Sequence, residues 1–470
     1  MATTSPEIKI QSSSLEEPIY NSTYVYLVCI VVALGGVLFG FDLVIISGTV
    51  QFFTGYFQLN EVSTGWAVGC INVGAAVGAL MAGKLSNTVG RKRLLILCAF
   101  LFAVTGIATG WATHFTFFIA ARLLSGVAVG AAALVCPVYI AEIAPSTWRG
   151  RLVTLYQLAI VMGLLLAYLS NYALLYAGEN NWRWMFSSQT IPSLLFFIGL
   201  FFVPESPRWL ISKGKKEKAL LILNRIGGTT YSIAEYGSIK ASFADEVKED
   251  VRDLFRKDVR HIVFMGIAVA VFSQAGGQNS LFSYAPIIFK QAGMAEDSAF
   301  LQSVILGVIN FVFTFIAIAT IDKTGRRKLL LLGSILLAID ALALAICFYF
   351  SASGSWTLIF VLGFIAIYAA TLGPVTWVLL AEVFPNRIRG NAMALATLSL
   401  WIANFFTTAS FPILKEYFGL HITFGIHAVI CFLYYLYVKS YLPETKGKSL
   451  EEIEGFLVKT RNNTKEIDHE

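Results

Sequence analysis

Asp42 is a carboxylate in the run Gly35-Gly36-Val37-Leu38-Phe39-Gly40-Phe41-Asp42-Leu43-Val44, and from Tyr24 to Gly48 no other acid and no lysine or arginine accompanies it. A stretch of that length and character crosses a bilayer. An aspartate at the centre of such a helix costs about 2.5 to 3.5 kcal/mol on insertion scales, so it faces a polar interior, has a partner or binds a proton. Arg122, in the apolar run near 115–138, poses the same problem with the opposite sign. An acid in such a span can titrate as part of function, so proton-linked transport is the first expectation. The alternative is a structural acid that only pins two helices together.

The rest of the chain offers little other chemistry. The histidines His114, His261, His421, His427 and His469 are dispersed, and neither a nucleophile with its base nor a phosphate-binding glycine loop is present. No enzyme, cofactor or metal is expected. The cysteines Cys29, Cys70, Cys98, Cys136, Cys347 and Cys431 stand singly in apolar segments and read as small buried hydrophobes. The sequons at Asn21 and Asn462 fall in segments expected to be cytoplasmic and are discounted as glycosylation sites.

Holding Asp42 and Arg122 in place takes a membrane scaffold. Of the 470 residues 57% are hydrophobic and 14% charged, with a mean hydropathy of +0.70, far from a soluble balance of about 25% charged. The net charge of +6 implies no nucleic-acid partner, because in a membrane protein the position of the cations matters more than their sum. Spanning runs are expected near 24–48, 64–86, 93–112, 115–138, 151–173 and 184–203, then near 260–285, 299–321, 328–349, 355–381, 391–412 and 421–442.

With the amino terminus inside, the inner short loops hold Lys84, Arg91, Lys92, Arg93, Arg149, Arg151, Lys323, Arg326, Arg327, Lys328, Arg387 and Arg389, and the outer ones only Arg183, Lys290 and Lys415. That asymmetry places both termini in the cytoplasm. On these spans Asp42 lies about six residues from the outer end of the first helix and Arg122 about seven from that of the fourth, so both sit roughly 10 Å deep and can meet. An unpaired charge of either sign is costly there, which makes each the other's partner.

The chain repeats itself. Gly90-Arg91-Lys92-Arg93-Leu94-Leu95 returns as Gly325-Arg326-Arg327-Lys328-Leu329-Leu330. Ala141-Glu142-Ile143-Ala144-Pro145 with Arg149-Gly150 returns as Ala381-Glu382-Val383-Phe384-Pro385 with Arg389-Gly390, and Pro204-Glu205-Ser206-Pro207 is answered by Pro443-Glu444-Thr445. The expected fold is therefore an all-α membrane protein of twelve transmembrane helices in two pseudo-symmetric six-helix bundles, with a site shared between them. The division expected is a cytoplasmic tail (1–23), a first bundle (24–203), a cytoplasmic linker of short amphipathic helices with a basic patch (204–259), a second bundle (260–442) and a cytoplasmic tail (443–470).

These motifs resemble the sugar porters of the major facilitator superfamily, most closely the bacterial pentose and hexose proton symporters. The resemblance runs from about Tyr24 to Glu454. It rests on Phe39-Gly40-Phe41-Asp42, Gly90-Arg91-Lys92, Arg122, Pro204-Glu205-Ser206-Pro207-Arg208, Gly373-Pro374 with Trp377, and Pro443-Glu444-Thr445-Lys446-Gly447. It implies the major facilitator fold, alternating access around a central sugar site, and a monomer in the bacterial inner membrane whose partners are a small-molecule sugar, protons and lipid. In proton-coupled members the acid and arginine look like the coupling device, whereas facilitative relatives tend to be uncharged at the acid's position. The proton-coupling residues expected are Asp42 and Arg122.

By motif alignment Gln157, Gln274, Asn279 and Trp377 resemble the family's sugar contacts, with Asn310 and Asn404 as weaker candidates. Amides that donate and accept hydrogen bonds, with an aromatic ring, suit a sugar; membrane amides also serve as interhelical glue. Phe39, Tyr284 and Trp401 are expected to wall the cavity. Arg91, Glu142, Arg149, Arg326, Glu382 and Arg389 look like the family's cytoplasmic gate, extended by Glu205, Arg208 and Glu444. Gly373-Pro374 and Pro286 are expected bending points. The chain departs from the family at Ser273, Ser283, Leu400 and Gln189, which leaves the sugar open and Asp42 as the lone coupling acid. A facilitative sugar uniporter is the competing reading, and a non-transporting sugar receptor a more distant one.

Overall fold

The computed structural model describes residues 20–244, 251–256, 259–351, 354–385 and 387–446. Most of both expected tails, residues 1–19 and 447–470, lies outside the described residues, as does the sequon at Asn462.

Apolar runs become helices here because a lipid environment leaves the backbone no partner but itself. The first six spans are α1 (Ser22–Phe57), α2 (Glu61–Val89), α3 (Arg91–Gly110), α4 (Phe115–Ile143), α5 (Arg149–Ala173) and α6 (Asn181–Phe202). The second set is α7 (Arg260–Gln291), α8 (Glu296–Thr324), α9 (Arg326–Tyr349), α10 (Gly354–Val383) and a helix over Arg389–Tyr441. Gly419 (φ 76°, ψ 164°) breaks that last helix into α11 (389–418) and α12 (420–441). The chain turns back at this break. Arg389 Nε binds Phe384 O at one face, His421 packs on Tyr349 at the other, and Arg327 reaches Lys439 O back at the first.

Several boundaries differ from the sequence reading. α1 continues nine residues past Gly48 to Phe57, because Phe53 and Phe57 pack on Phe118 (5.0 and 5.7 Å between ring centroids) and hold the extra turns against α4. α7 breaks at Gly276-Gly277, where Gly277 has φ 101°, a left-handed conformation open to glycine. A second deviation, at Tyr284 (φ −125°, ψ 15°), lies two residues before Pro286, and α10 is interrupted at Thr371, just before Gly373-Pro374. Proline removes a helical hydrogen bond and crowds the preceding turn, which accounts for both.

Small residues bring the helices close. A Cβ on Gly126 or Gly130 of α4 would strike the carbonyls of Ile71 or Ala75 in α2, and one on Gly40 of α1 that of Ile160 in α5. Lipid offers no hydrophobic drive between helices, so such backbone contact is how they hold together.

The repeat seen in the sequence is a repeat of structure. Gly90 and Gly325 adopt matching conformations (φ 109°, ψ 156° and φ 96°, ψ 154°) at the starts of α3 and α9. Glu205 accepts the Lys92 N–H at 3.0 Å and Glu444 the Arg326 N–H at 3.0 Å. A Cβ on either glycine would collide with those carboxylates. Between the two sets run helices Pro207–Ser212 and Lys216–Ala244. A kink at Gly227-Gly228 divides the second into two shorter helices. Trp209 Nε1 docks the first on Asn87 O at 3.0 Å.

Candidate functional site

Asp42 and Arg122 are 0% and 1% exposed, and Arg122 Nη1 lies 2.5 Å from Asp42 Oδ1. Ser125, one turn after Arg122 on α4, donates its hydroxyl to the other carboxylate oxygen. The guanidinium carbon lies 5.7 Å from the centroid of the Phe186 ring in α6, while Nε and Nη2 have no partner. Asp42 lies fifteen positions (42 to 57) before the end of α1, further from that end than the six expected, because the helix runs on to Phe57. Desolvating two ions costs several kcal/mol each and is repaid only by close, well-bonded contact. Arg122 is incompletely repaid, which suits a bond that is made and broken.

The sugar candidates separate into groups. Asn279 and Asn404 line one small cavity of about 10 Å³ between the two halves, together with Asn72, Ser283, Thr408 and Leu43, the neighbour of Asp42. Gln274 (8% exposed) accepts the Asn279 Nδ2–H at 2.6 Å and donates to Ser273 Oγ at 3.3 Å. Gln157 on α5 and Trp377 on α10 are half-buried, and Asn310 on α8 is buried, but none of these three lines that cavity. Phe39 and Trp401 meet across the halves at 5.8 Å, with Trp401 Nε1 buried and unpartnered. The Tyr284 hydroxyl donates to Thr408 O (3.0 Å) and its ring stacks on Phe411 at 4.8 Å. Tyr284 also lines a second cavity of about 370 Å³ with Gln51, Glu61, Lys290 and Lys415, so it stands between the two spaces.

The halves touch toward the face opposite the basic loops. Tyr168 donates to Phe282 O at 2.8 Å, Trp66 packs on Phe405 at 5.5 Å, and Gln51 bridges Glu296 (2.5 Å) and Lys290 (2.9 Å). At the basic face, among the described residues, the gate candidates form ion pairs within each half: Arg91 with Glu142 at 3.0 Å, and Arg326 with Glu382 at 2.9 Å and Asp322 at 3.0 Å. Arg149 and Arg389 bond the carbonyls of Ala141 and Phe384, and Arg208 lies over the Phe243 ring at 5.4 Å.

Sequence reasoning missed four features. Ser125 carried no signal, since a serine in a membrane helix is common. Asn72 is uncharged and lies in an unremarked part of α2. The Gln51, Lys290 and Glu296 bridge needed the register between halves. Asp340 was different: it is a lone acid in the run 328–349 and gave the same signal as Asp42. It lies mid-span in α9, 9% exposed, with Oδ1 seated against Gly363 of α10 and Oδ2 buried without a partner. An unsatisfied buried acceptor costs about 1 to 3 kcal/mol. Asp340→Leu is therefore expected to raise the thermal unfolding midpoint of the detergent-purified protein while leaving sugar uptake near the native rate.

Twelve spans in two repeated halves, with a polar seam between them, define a multi-pass carrier of the major facilitator fold. The sequence model of the family described as "Sugar (and other) transporter" matches residues 28–456, and the chain belongs to that family, the sugar porters of the major facilitator superfamily, a family of transporters rather than enzymes. It is 38% identical over 447 residues to the arabinose-proton symporter of Bacillus subtilis (strain 168), covering 94% of this chain and 96% of that protein. To the D-xylose-proton symporter of Escherichia coli (strain K12) it is 38% identical over 473 residues, covering 93% and 96%. The inward-open xylose transporter XylE from E. coli superposes with a TM-score of 0.84 at 35% identity over 92% of this chain and 100% of that one. XylE bound to 6-bromo-6-deoxy-D-glucose gives 0.76 at 36% identity, over 93% and 100%. The higher score falls with the inward-open form.

Proposed function

We propose that this protein is a proton-coupled symporter of a pentose or hexose, working by alternating access in a bacterial inner membrane as a monomer with both termini cytoplasmic. The observation that carries the reading is the fully buried contact of Asp42 with Arg122. The names of its relatives, arabinose-proton and D-xylose-proton symporters, agree with it.

In this reading deprotonated Asp42 binds Arg122 and Ser125 and holds α1 to α4. Protonation from outside removes the charge that Arg122 needs, the contact loosens, and the bundle 24–203 rocks against the bundle 260–442 around a bound sugar. The proton leaves when the site opens inward and Arg122 recaptures the carboxylate. Sugar is held by the amides Gln157, Gln274, Asn279, Asn310 and Asn404 with the ring of Trp377. Arg91, Glu142, Arg149, Arg326, Glu382 and Arg389, with Glu205, Arg208 and Glu444, form the cytoplasmic gate. Phe39, Tyr284 and Trp401 wall the cavity.

The energy suffices. One pH unit is worth about 1.4 kcal/mol and 100 mV about 2.3 kcal/mol, together roughly a several-hundred-fold sugar gradient per proton. The test is accumulation in vesicles after an acid pulse outside, with D-xylose, L-arabinose and D-glucose as labelled probes. A symporter concentrates one of them above the outside level and loses that capacity with a protonophore; equilibration without concentration is the result of a uniporter.

A further inference from the structure

We propose that Asn72 is a sugar-recognising residue of the carrier: a side chain on α2 that supplies a hydrogen-bond acceptor to the central site and sets which hydroxyl pattern is taken. This rests on the sugar-transport reading and deepens it.

Asn72 is 2% exposed, and its Nδ2–H donates to Thr408 Oγ1 of α11 at 3.3 Å, across the seam between the halves. Thr408 spends its own hydroxyl proton on Asn404 O at 2.8 Å. Its oxygen is then left to accept, which fixes the Asn72 amide with its nitrogen toward Thr408 and its oxygen toward the cavity. Asn72 Oδ1 has no partner there, and neither has Asn404 Oδ1. Two amide oxygens lining the same buried space call for a ligand that brings hydroxyl protons and no negative charge, which is the chemistry of a neutral polyol.

The space shows where that ligand goes. At about 10 Å³ it admits a single water and no sugar, and it lies where α2 and α11 close on each other. Parting that seam frees the Asn72 amide from Thr408 and widens the cavity beside Asn279 and Asn404. The residue is also tied to the proton site. The carbonyl of its neighbour Ile71 rests on Gly126, next to Ser125, which donates to Asp42. Leu43, next to Asp42, lines the same cavity. A sugar hydroxyl bound by Asn72 therefore presses on the backbone contact that carries the coupling pair.

The experiment compares native protein, Asn72→Leu and Thr408→Val in uptake of whichever of D-xylose, L-arabinose and D-glucose the native carrier takes, with the full set of its monodeoxy analogues. Asn72→Leu is expected to raise KM for the parent sugar about tenfold, the worth of one hydrogen bond, with kcat within twofold. For one deoxy analogue, lacking the hydroxyl that Asn72 receives, native and variant are expected to have equal KM. Thr408→Val, which removes the seam bond and a wall hydroxyl but leaves the Asn72 amide, is expected to keep the native dependence on the hydroxyl that Asn72 receives. An equal loss for every analogue, or the same loss in Thr408→Val, shows that Asn72 only closes the seam and overturns the inference, as does an unchanged KM. A native carrier that takes up none of the sugars overturns the sugar reading itself. If Asn72→Leu does not fold, Asn72→Ala, which also removes the acceptor, serves in the same comparison.

Discussion

In vesicles with an inward proton gradient, Asp42→Asn is expected to lose concentrative sugar uptake entirely while retaining exchange of labelled for unlabelled sugar. Asparagine is close to aspartate in size; its oxygen can accept from Arg122 while its amide nitrogen donates to the Ser125 hydroxyl, so α1 stays hydrogen-bonded to α4. What it cannot do is change charge. Without a proton-dependent step the carrier equilibrates its substrate, and the steady-state ratio falls from several-hundred-fold at a driving force of one pH unit plus 100 mV to about one. Measuring both activities on the same preparation separates coupling from folding. Loss of both would assign Asp42 a structural role.

Arg122→Leu is expected to be more damaging to the fold than Asp42→Asn, which takes away the counter-charge of Arg122 but leaves it an amide oxygen to bond. It strands a carboxylate that is 0% exposed with only the Ser125 hydroxyl for company. Removing one member of a buried ion pair costs about 3 to 5 kcal/mol, a large share of a typical total stability of about 5 to 15 kcal/mol. The expected result is a sharp fall in folded yield and in unfolding temperature, read by size-exclusion chromatography and thermal denaturation in detergent. The double variant Asp42→Asn with Arg122→Leu is expected to recover most of that stability, because neither charge is left behind, while staying uncoupled. Failure of the second substitution to rescue the first would mean that Arg122 acts through contacts other than Asp42, its position over Phe186 first among them.

Much of this arrangement was legible in the sequence, for a physical reason: in an apolar span every charge is conspicuous because it is costly. Asp42 and Arg122 could be paired from helix position alone, although Asp42 stands further from the end of α1 than expected because that helix runs on to Phe57 through aromatic packing that only the folded chain reveals. The doubled Arg-Glu motifs likewise foretold Arg91 with Glu142 and Arg326 with Glu382. Uncharged features were harder to read. Asn72 looked like any polar residue in a helix until the register of α2 against α11 set it on Thr408 and at the wall of a cavity shared with Asn404. The break at Gly276-Gly277 was hidden because paired glycines also serve helix packing. Asp340 was within reach, having the same lone-acid signature as Asp42 but no cation at hand to name as its partner.

The seam contacts explain why the amides Asn279 and Asn404 share a cavity while Gln157, Trp377 and Asn310 stand apart from it. With the halves joined away from the basic loops, α2 and α11 squeeze the part of the site they line. The bridge of Gln51 with Lys290 and Glu296 adds little energy at an exposed surface, so the apolar contacts of Trp66 with Phe405 and Phe39 with Trp401 carry more of the closure.

The most direct measurement is the pH of a lightly buffered suspension of energy-depleted cells producing the protein, followed as sugar is added. The account predicts that sugar entering on the native carrier brings protons with it, so the medium turns alkaline on addition, and that cells bearing Asp42→Asn give no such change. Sugar entry through the native protein with the external pH flat, or an undiminished alkaline shift with Asp42→Asn, would contradict it.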